Sequence, residues 1–145
     1  MYFFAGIVEL DLMGKVHKEY LRNGVHHGYR KLLNGNYIVI ADMVGRNTVE
    51  DHIVELDGKT GEVVRSWDLR EAWGMKEYKS SPSYNYNEKD WLHINSIWLC
   101  PGEDAILVSG RHQDVFFKLD LSKNEVVWAM TEDYEQYTDK FKKNC

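Results

Sequence analysis

The residue types best suited to chemistry are histidines that stand at the start of two predicted strands. His26 and His27 begin one strand, and His93 begins another, with Asn95 two residues later. Because residues i and i+2 of a strand share a face, His93 and Asn95 are expected to point the same way and Ile94 the opposite way. If these imidazoles and the amide face one shared space, they form a polar cluster suited to binding an anion.

A positive charge for such an anion follows the next predicted strand. Arg111 comes directly after Gly110, which allows close backbone approach. A guanidinium offers paired donors and a permanent charge, which suit sulfate or phosphate oxygens. The sequence therefore makes Arg111 a candidate anion ligand together with His93 and Asn95, whereas His112 is expected to point away and to be structural.

Other kinds of catalytic site are not indicated. No glycine-rich phosphate loop precedes a helix, and no Gly-x-Ser-x-Gly string marks an esterase. His27, His93 and His112 are metal ligands by type, but no His-x-His or His-x-x-x-His pair supports a metal site. Cys100 and Cys145 are too few for a disulfide framework or a cysteine-based metal motif, and neither is expected to do chemistry. The sequence therefore predicts neither a metal nor a cofactor.

Composition limits the class of protein. The chain has 145 residues, enough for one domain, with 43% hydrophobic and 28% charged residues, as in ordinary globular proteins. Its 18 basic and 23 acidic residues give a net charge of -5, which argues against nucleic acid or anionic lipid as a partner. No basic n-region precedes the first apolar run and no run is long enough to span a membrane. The sequence as written thus indicates no export and is expected in the cytoplasm, whereas a longer chain with an export signal would be periplasmic, so the compartment is left open.

Three segments share one plan of a strand, a tight turn and a second strand. They are Gly6 to Leu21, His52 to Leu69 and Val115 to Met130. β-branched and aromatic residues fill the strands and Gly or Asn fills the turns, which is typical of hairpins. Aspartates recur at the turns, where their carboxylates accept local backbone hydrogen bonds, so they are expected to be structural. These aspartates are Asp11, Asp57 and Asp120.

Two further strand pairs precede the second and third hairpins, which gives four strands per unit, the pattern of a β-propeller blade. Asp11 and Asp57 are 46 residues apart. This separation is close to the length of one propeller blade, about 40–50 residues. The predicted fold is all-β, with about two and a half blades of an incomplete propeller and open edges that favour self-association. The predicted divisions are a trailing hairpin over 1–23, a blade over 24–69, an insertion over 70–89, a blade over 90–130 and a tail over 131–145. Within the insertion, residues 71–78 are expected to form two helical turns.

Two strings are specific enough to suggest a family. Asp90-Trp91-Leu92-His93-Ile94-Asn95-Ser96, followed by Ser109-Gly110-Arg111-His112-Gln113-Asp114, resembles the bacterial arylsulfate sulfotransferases. The resemblance covers roughly residues 5 to 130. It implies a six-bladed propeller that moves a sulfuryl group from a phenolic sulfate ester to a phenol, without a nucleotide sulfate donor, through a transiently sulfated histidine.

The resemblance also implies roles for individual residues. His93 matches the family's second histidine, Asn95 its sulfate-binding amide and Arg111 its sulfate-binding arginine. The strand with two histidines supplies another active-site histidine. His27 is favoured, because aligning Tyr29 with Ile97 places His27 beside Asn95, and His26 remains an alternative. The family's nucleophilic histidine follows the arginine motif, where this chain has no histidine after His112, so the isolated chain is predicted to be inactive.

The expected partners are therefore a phenolic sulfate donor and a phenol acceptor. Arg111 and Asn95 would hold the sulfate oxygens while charge moves to the leaving phenolate. His93 would give a proton to that phenolate and take one from the acceptor. Two other hypotheses stay open: a non-catalytic propeller that binds ligands, and a repeat scaffold for protein partners.

Overall fold

The computed structural model describes residues 6–42, 48, 52–73 and 90–131. Within these ranges the chain is almost entirely β-strand. The strands are β1 (Gly6–Leu10), β2 (Val16–Leu21), β3 (Val25–Lys31), β4 (Tyr37–Ala41), β5 (His52–Leu56), β6 (Val63–Asp68), β7 (Ile94–Leu99), β8 (Ala105–Gly110), β9 (Val115–Asp120) and β10 (Glu125–Thr131). The three predicted hairpins are confirmed, as β1–β2, β5–β6 and β9–β10.

The strands form one hairpin and two four-stranded sheets. Their orders are β1-β2, β3-β4-β5-β6 and β7-β8-β9-β10, and every neighbouring pair is antiparallel. Each sheet therefore follows the chain without a crossover. This confirms the all-β, antiparallel class, while the number of blades and the closure of a ring remain predictions.

The aspartates of the hairpin turns act structurally, as predicted. Asp11 Oδ1 accepts hydrogen bonds from the amides of Met13 and Lys15, at 2.9 and 3.0 Å. Asp57 and Asp120 do the same for the amides two and three residues after each of them. Together with the bond that the Ser122 hydroxyl donates to Asp120, these bonds favour the ionised carboxylates and hold the pKa of all three aspartates below the usual value.

The hairpin and the two sheets stack in chain order, with the sheet β3–β6 in the middle. Strand β4 is buried along its whole length because alternate side chains enter different cores. Ile38 and Ile40 pack toward the sheet β7–β10, whereas Tyr37 and Val39 pack toward Ile7 of the first hairpin. A continuous apolar strand is the sequence signature of such two-sided burial.

Polar contacts tie the two sheets together at their outer strands. The buried Trp67 ring donates from Nε1 to the carbonyl oxygen of Leu121 at 2.8 Å. Arg65 donates to both oxygens of Asp104, at 2.9 and 3.2 Å, and to Glu55 at 2.6 Å. The inter-sheet face is therefore fixed by directional bonds as well as by its apolar core.

The only α-helix among the described residues is one turn, α1 (Leu69–Ala72), capped by Asp68. It begins two residues before the predicted helix at 71–78, most of which lies outside the described residues. The rest of the predicted insertion, 74–89, and almost all of the tail, from 132, also lie outside them. In the described segments no helix has the length and apolar character needed to cross a membrane.

Asp68 makes the stability of the fold sensitive to acid. Burial raises its pKa, but hydrogen bonds from Arg70 and the charge of His52 outweigh burial and leave the pKa below its usual value. Its stabilising contribution is therefore complete above the unfolded pKa of about 3.9 and is lost as pH falls through the lower folded pKa.

Asp68→Asn is therefore expected to lower the free energy of unfolding at pH 6–7, with a deficit that narrows as pH falls below about 4. Urea denaturation of both proteins across pH measures this deficit. A deficit that is the same at every pH would contradict the assignment.

Candidate functional site

The candidate site lies where the first strands of the two sheets meet. β3 and β7 contact each other. Gly28 of β3 sits so near β7 that an added Cβ would lie 3.8 Å from the carbonyl oxygen of Asn95. The histidine-bearing segments are therefore neighbours in space, although they are far apart in sequence.

Four imidazoles form a continuous row across this junction. The ring centroids of His26 and His27 are 5.0 Å apart, those of His27 and His93 5.4 Å, and those of His93 and His112 4.5 Å. We call these four residues the histidine row. It connects both sheets, because two members belong to β3 and the other two flank β7 and β8.

A carboxylate lies beside each half of the histidine row. Asp42 Oδ1 is 3.3 Å from His26 Nε2, and Asp90 Oδ2 is 2.5 Å from His93 Nδ1. The Nδ1 atom of His112 lies 3.1 Å from the carbonyl oxygen of Asp90. Because carboxylate and carbonyl oxygens accept, both Nδ1 atoms act as donors in these bonds.

The pKa of His27 is lowered. Partial removal from water is the main cause, and the neighbouring imidazoles of His26 and His93 act in the same direction, against the opposing carboxylates Asp90 and Asp42. His27 is consequently neutral at pH 7 and keeps a ring lone pair. Its ring faces His93, whereas His26 is paired with Asp42, which supports the preference for His27.

The two sheets use one backbone plan around His93. The Asp42 amide donates to the Gly24 carbonyl at 2.8 Å, and the Arg111 amide donates to the His93 carbonyl at 3.0 Å. Gly24 and His93 both have positive φ, 83° and 52°. His93 therefore occupies the position of Gly24, and Arg111 that of Asp42.

The strand bounds correct one expectation. His93 was expected to stand at the start of a strand, but β7 begins at Ile94, so His93 precedes the strand. Asn95 stands at a register irregularity between Ile94 and Ser96. Ile94 is fully buried and Asn95 exposed, but the i, i+2 strand rule does not set the direction of His93.

Asn95 and Arg111 share a groove beside the histidine row. The groove holds about 560 Å³, and its lining consists of Asn95, Ser109, Gly110, Arg111, Asp114, Val115, Phe116 and Met130. Both polar candidates are exposed and can reach a ligand. His93 adjoins them through its backbone bond to Arg111, and His27 adjoins His93 through the ring contact.

A family model described as Arylsulfotransferase (ASST) matches residues 3–145. The chain belongs to this family. The arylsulfate sulfotransferase AssT of Escherichia coli O6:H1, strain CFT073, is 29% identical over an alignment 105 residues long, and this alignment covers 51% of this chain and 17% of that protein. The chain thus spans a small part of the length of this arylsulfotransferase.

Sequence reasoning missed two residues of the candidate site. Asp90 received no role, and His112 was set aside as structural, yet both contact His93. The available signal was their place inside the two specific strings, directly before Trp91 and directly after Arg111. Asp90, His93 and His112 also bring one donor atom each within 4.8 Å of one another, as a metal site would require. The spacing of histidines in the sequence did not indicate this cluster, because Asp90 and His93 lie in one loop and His112 lies in another.

Cys100 is a partly buried free thiol among the described residues. Burial raises its pKa, which disfavours the thiolate. Cys145 lies outside the described residues.

Proposed function

We propose that the described site holds the sulfuryl group of a phenolic sulfate ester and takes part in its transfer to a phenol. The observation that carries this proposal is the shared groove, whose lining includes both Asn95 and Arg111. A guanidinium and an amide are donors matched to sulfate oxygens. Membership in the arylsulfotransferase family supports this choice of anion.

The transfer we propose takes two steps. A histidine nitrogen attacks sulfur, the bond between sulfur and the phenolate oxygen breaks, and His93 gives the leaving oxygen a proton. The acceptor phenol then returns a proton to His93, its oxygen attacks sulfur, and the sulfur–nitrogen bond breaks. Arg111 and Asn95 hold the sulfate oxygens throughout. We assign the nucleophile to none of these residues, because the resemblance to the family places it after the arginine motif, where this sequence has no histidine beyond His112.

Asp90 prepares His93 for this exchange of protons. Its carboxylate lies 2.5 Å from His93 Nδ1 and accepts the proton there, so that Nε2 is the nitrogen that gives its proton to the leaving oxygen and takes one back from the acceptor phenol. The neutral His27 beside it adds no competing positive charge. His93 thus carries the proton, and its neighbour His27 is neutral.

The stacked layers support a propeller for the whole arrangement. We propose that the hairpin within 1–23 ends one blade, that 24–69 and 90–130 form the next two, and that 70–89 and 131–145 are an insertion and a tail. Each four-stranded sheet follows the order of the chain, with β3 or β7 at one edge. In the proposed propeller these site-bearing strands are the innermost ones and face a channel, and open edges favour self-association.

Arg111→Gln is expected to weaken binding of phenyl sulfate to the 145-residue chain by about tenfold or more, because a charged donor pair is lost. Isothermal titration calorimetry measures this affinity. The matched control is Arg30→Gln, since Arg30 lies over the Trp98 ring, 5.1 Å from its centroid. Equal affinity in wild type and Arg111→Gln would contradict the proposed sulfate site.

A turnover assay distinguishes the proposed enzyme from the alternative, a propeller that binds the ligand without catalysis. The product of the complete reading frame that contains these residues is incubated with 4-nitrophenyl sulfate and a phenol. Nitrophenolate release supports the enzyme, whereas phenyl sulfate binding without release favours the binding module.

A further inference from the structure

We propose that Asp90, His93 and His112 form a binding site for a divalent transition metal ion such as Zn²⁺. Each residue contributes one donor atom, and the three atoms lie within 4.8 Å of one another. This inference does not depend on sulfuryl transfer.

The donor set suits a borderline metal ion. Two imidazoles and one carboxylate are ligands that Zn²⁺ uses, and three protein ligands leave a fourth position for water. In a tetrahedral zinc site the donors stand about 3.3–3.6 Å apart. The contact of 3.5 Å between His112 Nδ1 and Asp90 Oδ2 already fits. The contact of 2.5 Å between His93 Nδ1 and Asp90 Oδ2 must open by about 1 Å, as the metal replaces the proton between them.

A second observation points independently to a ligand. Asp90 is only 9% exposed, and its Oδ1 atom has no hydrogen-bond partner among the described residues. A buried carboxylate oxygen without a partner is costly, because it has lost water and gained nothing in return. A cation bound at this carboxylate would compensate that loss.

The two loops that carry the donors are already held together. The His112 amide donates to the Leu92 carbonyl at 3.2 Å, and the Gln113 side chain donates to the Trp91 carbonyl at 2.5 Å. Trp91 and Leu92 are anchored in the core, at 1% and 0% exposed. Metal binding therefore requires side-chain adjustment and little ordering of the backbone, which limits its entropic cost.

A bound ion would also change what His93 can do. A nitrogen that ligates a metal no longer donates its proton to Asp90, so the orientation proposed for proton transfer is lost. Zn²⁺ is accordingly expected to inhibit any transfer in which His93 takes part.

The experiment titrates the 145-residue chain with Co²⁺, followed by visible absorption, and with Zn²⁺, followed by calorimetry. Wild type is expected to show the intense d–d bands of a tetrahedral site and to bind one Zn²⁺. His112→Gln and Asp90→Asn are each expected to weaken binding at least tenfold. The matched control is His17→Gln, because His17 and Asp11 form an exposed pair at 3.2 Å that offers only two donors.

The proposal is overturned if wild type shows no tetrahedral Co²⁺ spectrum, or if His112→Gln and Asp90→Asn bind as tightly as wild type. It is also overturned if His17→Gln weakens binding as much as they do. Circular dichroism verifies that each variant folds. Should both variants unfold, histidine ring NMR of wild type decides: Zn²⁺ must shift His93 and His112, and shifts confined to other histidines overturn the site.

Discussion

His93→Gln is expected to lower aryl sulfate turnover by about 10²- to 10⁴-fold, the range for loss of a general acid–base group. Glutamine keeps much of the bulk of histidine and can donate a hydrogen bond, but it cannot exchange a proton near neutral pH. The residue stands where such an exchange is needed, with Nδ1 bonded to Asp90 and its backbone bonded to Arg111. Nitrophenolate release by the product of the complete reading frame measures the effect.

The control for this substitution is His17→Gln. His17 is also paired with an aspartate, Asp11, at 3.2 Å, but it lies on the first hairpin and not in the histidine row. Its replacement is expected to leave turnover within about twofold of wild type, as a substitution away from the machinery should. A His93→Gln enzyme as fast as the His17→Gln enzyme would refute the proton-transfer role.

The fold was predictable because its signals are local. A hairpin turn is specified by a few consecutive residues, such as Asp57 with the amides of Lys59 and Thr60. The unbroken apolar run of β4 likewise reports burial on both faces. The direction in which sheets stack is not local, and only the structure shows Trp67 reaching Leu121 across the interface.

The neighbourhood of the candidate residues was predictable, whereas their roles stay predictions. The two strings contain His93, Asn95 and Arg111, and these residues lie close together in the structure. The left-handed backbone of His93, which His27 shares at the same φ of 52°, was unexpected, because few residues other than glycine have positive φ. A residue in that conformation does not follow the alternation of side chains along a strand, so the contacts of its side chain depend on tertiary structure. The contact between His93 and His112 could therefore not be predicted from the strand pattern.

Gly110→Ala is expected to cost about 1–3 kcal/mol of unfolding free energy, the usual range for an overpacked core. Gly110 is buried, and an added Cβ would lie 2.4 Å from Leu92 Cδ1 and 3.0 Å from Val115 Cγ1. One of these neighbours must move, and Leu92 directly precedes His93. Urea denaturation measures the loss of stability.

The same substitution tests whether core packing sets the geometry of the site. Leu92 directly precedes His93, and Gly110 directly precedes Arg111. A shift of Leu92 relative to Gly110 is therefore expected to disturb the hydrogen bond from the Arg111 amide to the His93 carbonyl. Gly28→Ala is the matched control, because its Cβ would meet nothing nearer than 3.8 Å and its φ is not positive. Gly110→Ala is therefore expected to weaken phenyl sulfate binding as well as stability, whereas Gly28→Ala should leave stability within about 1 kcal/mol of wild type. Full binding by a destabilised Gly110→Ala protein would show that the groove tolerates movement of Leu92 and that its shape is set by other contacts.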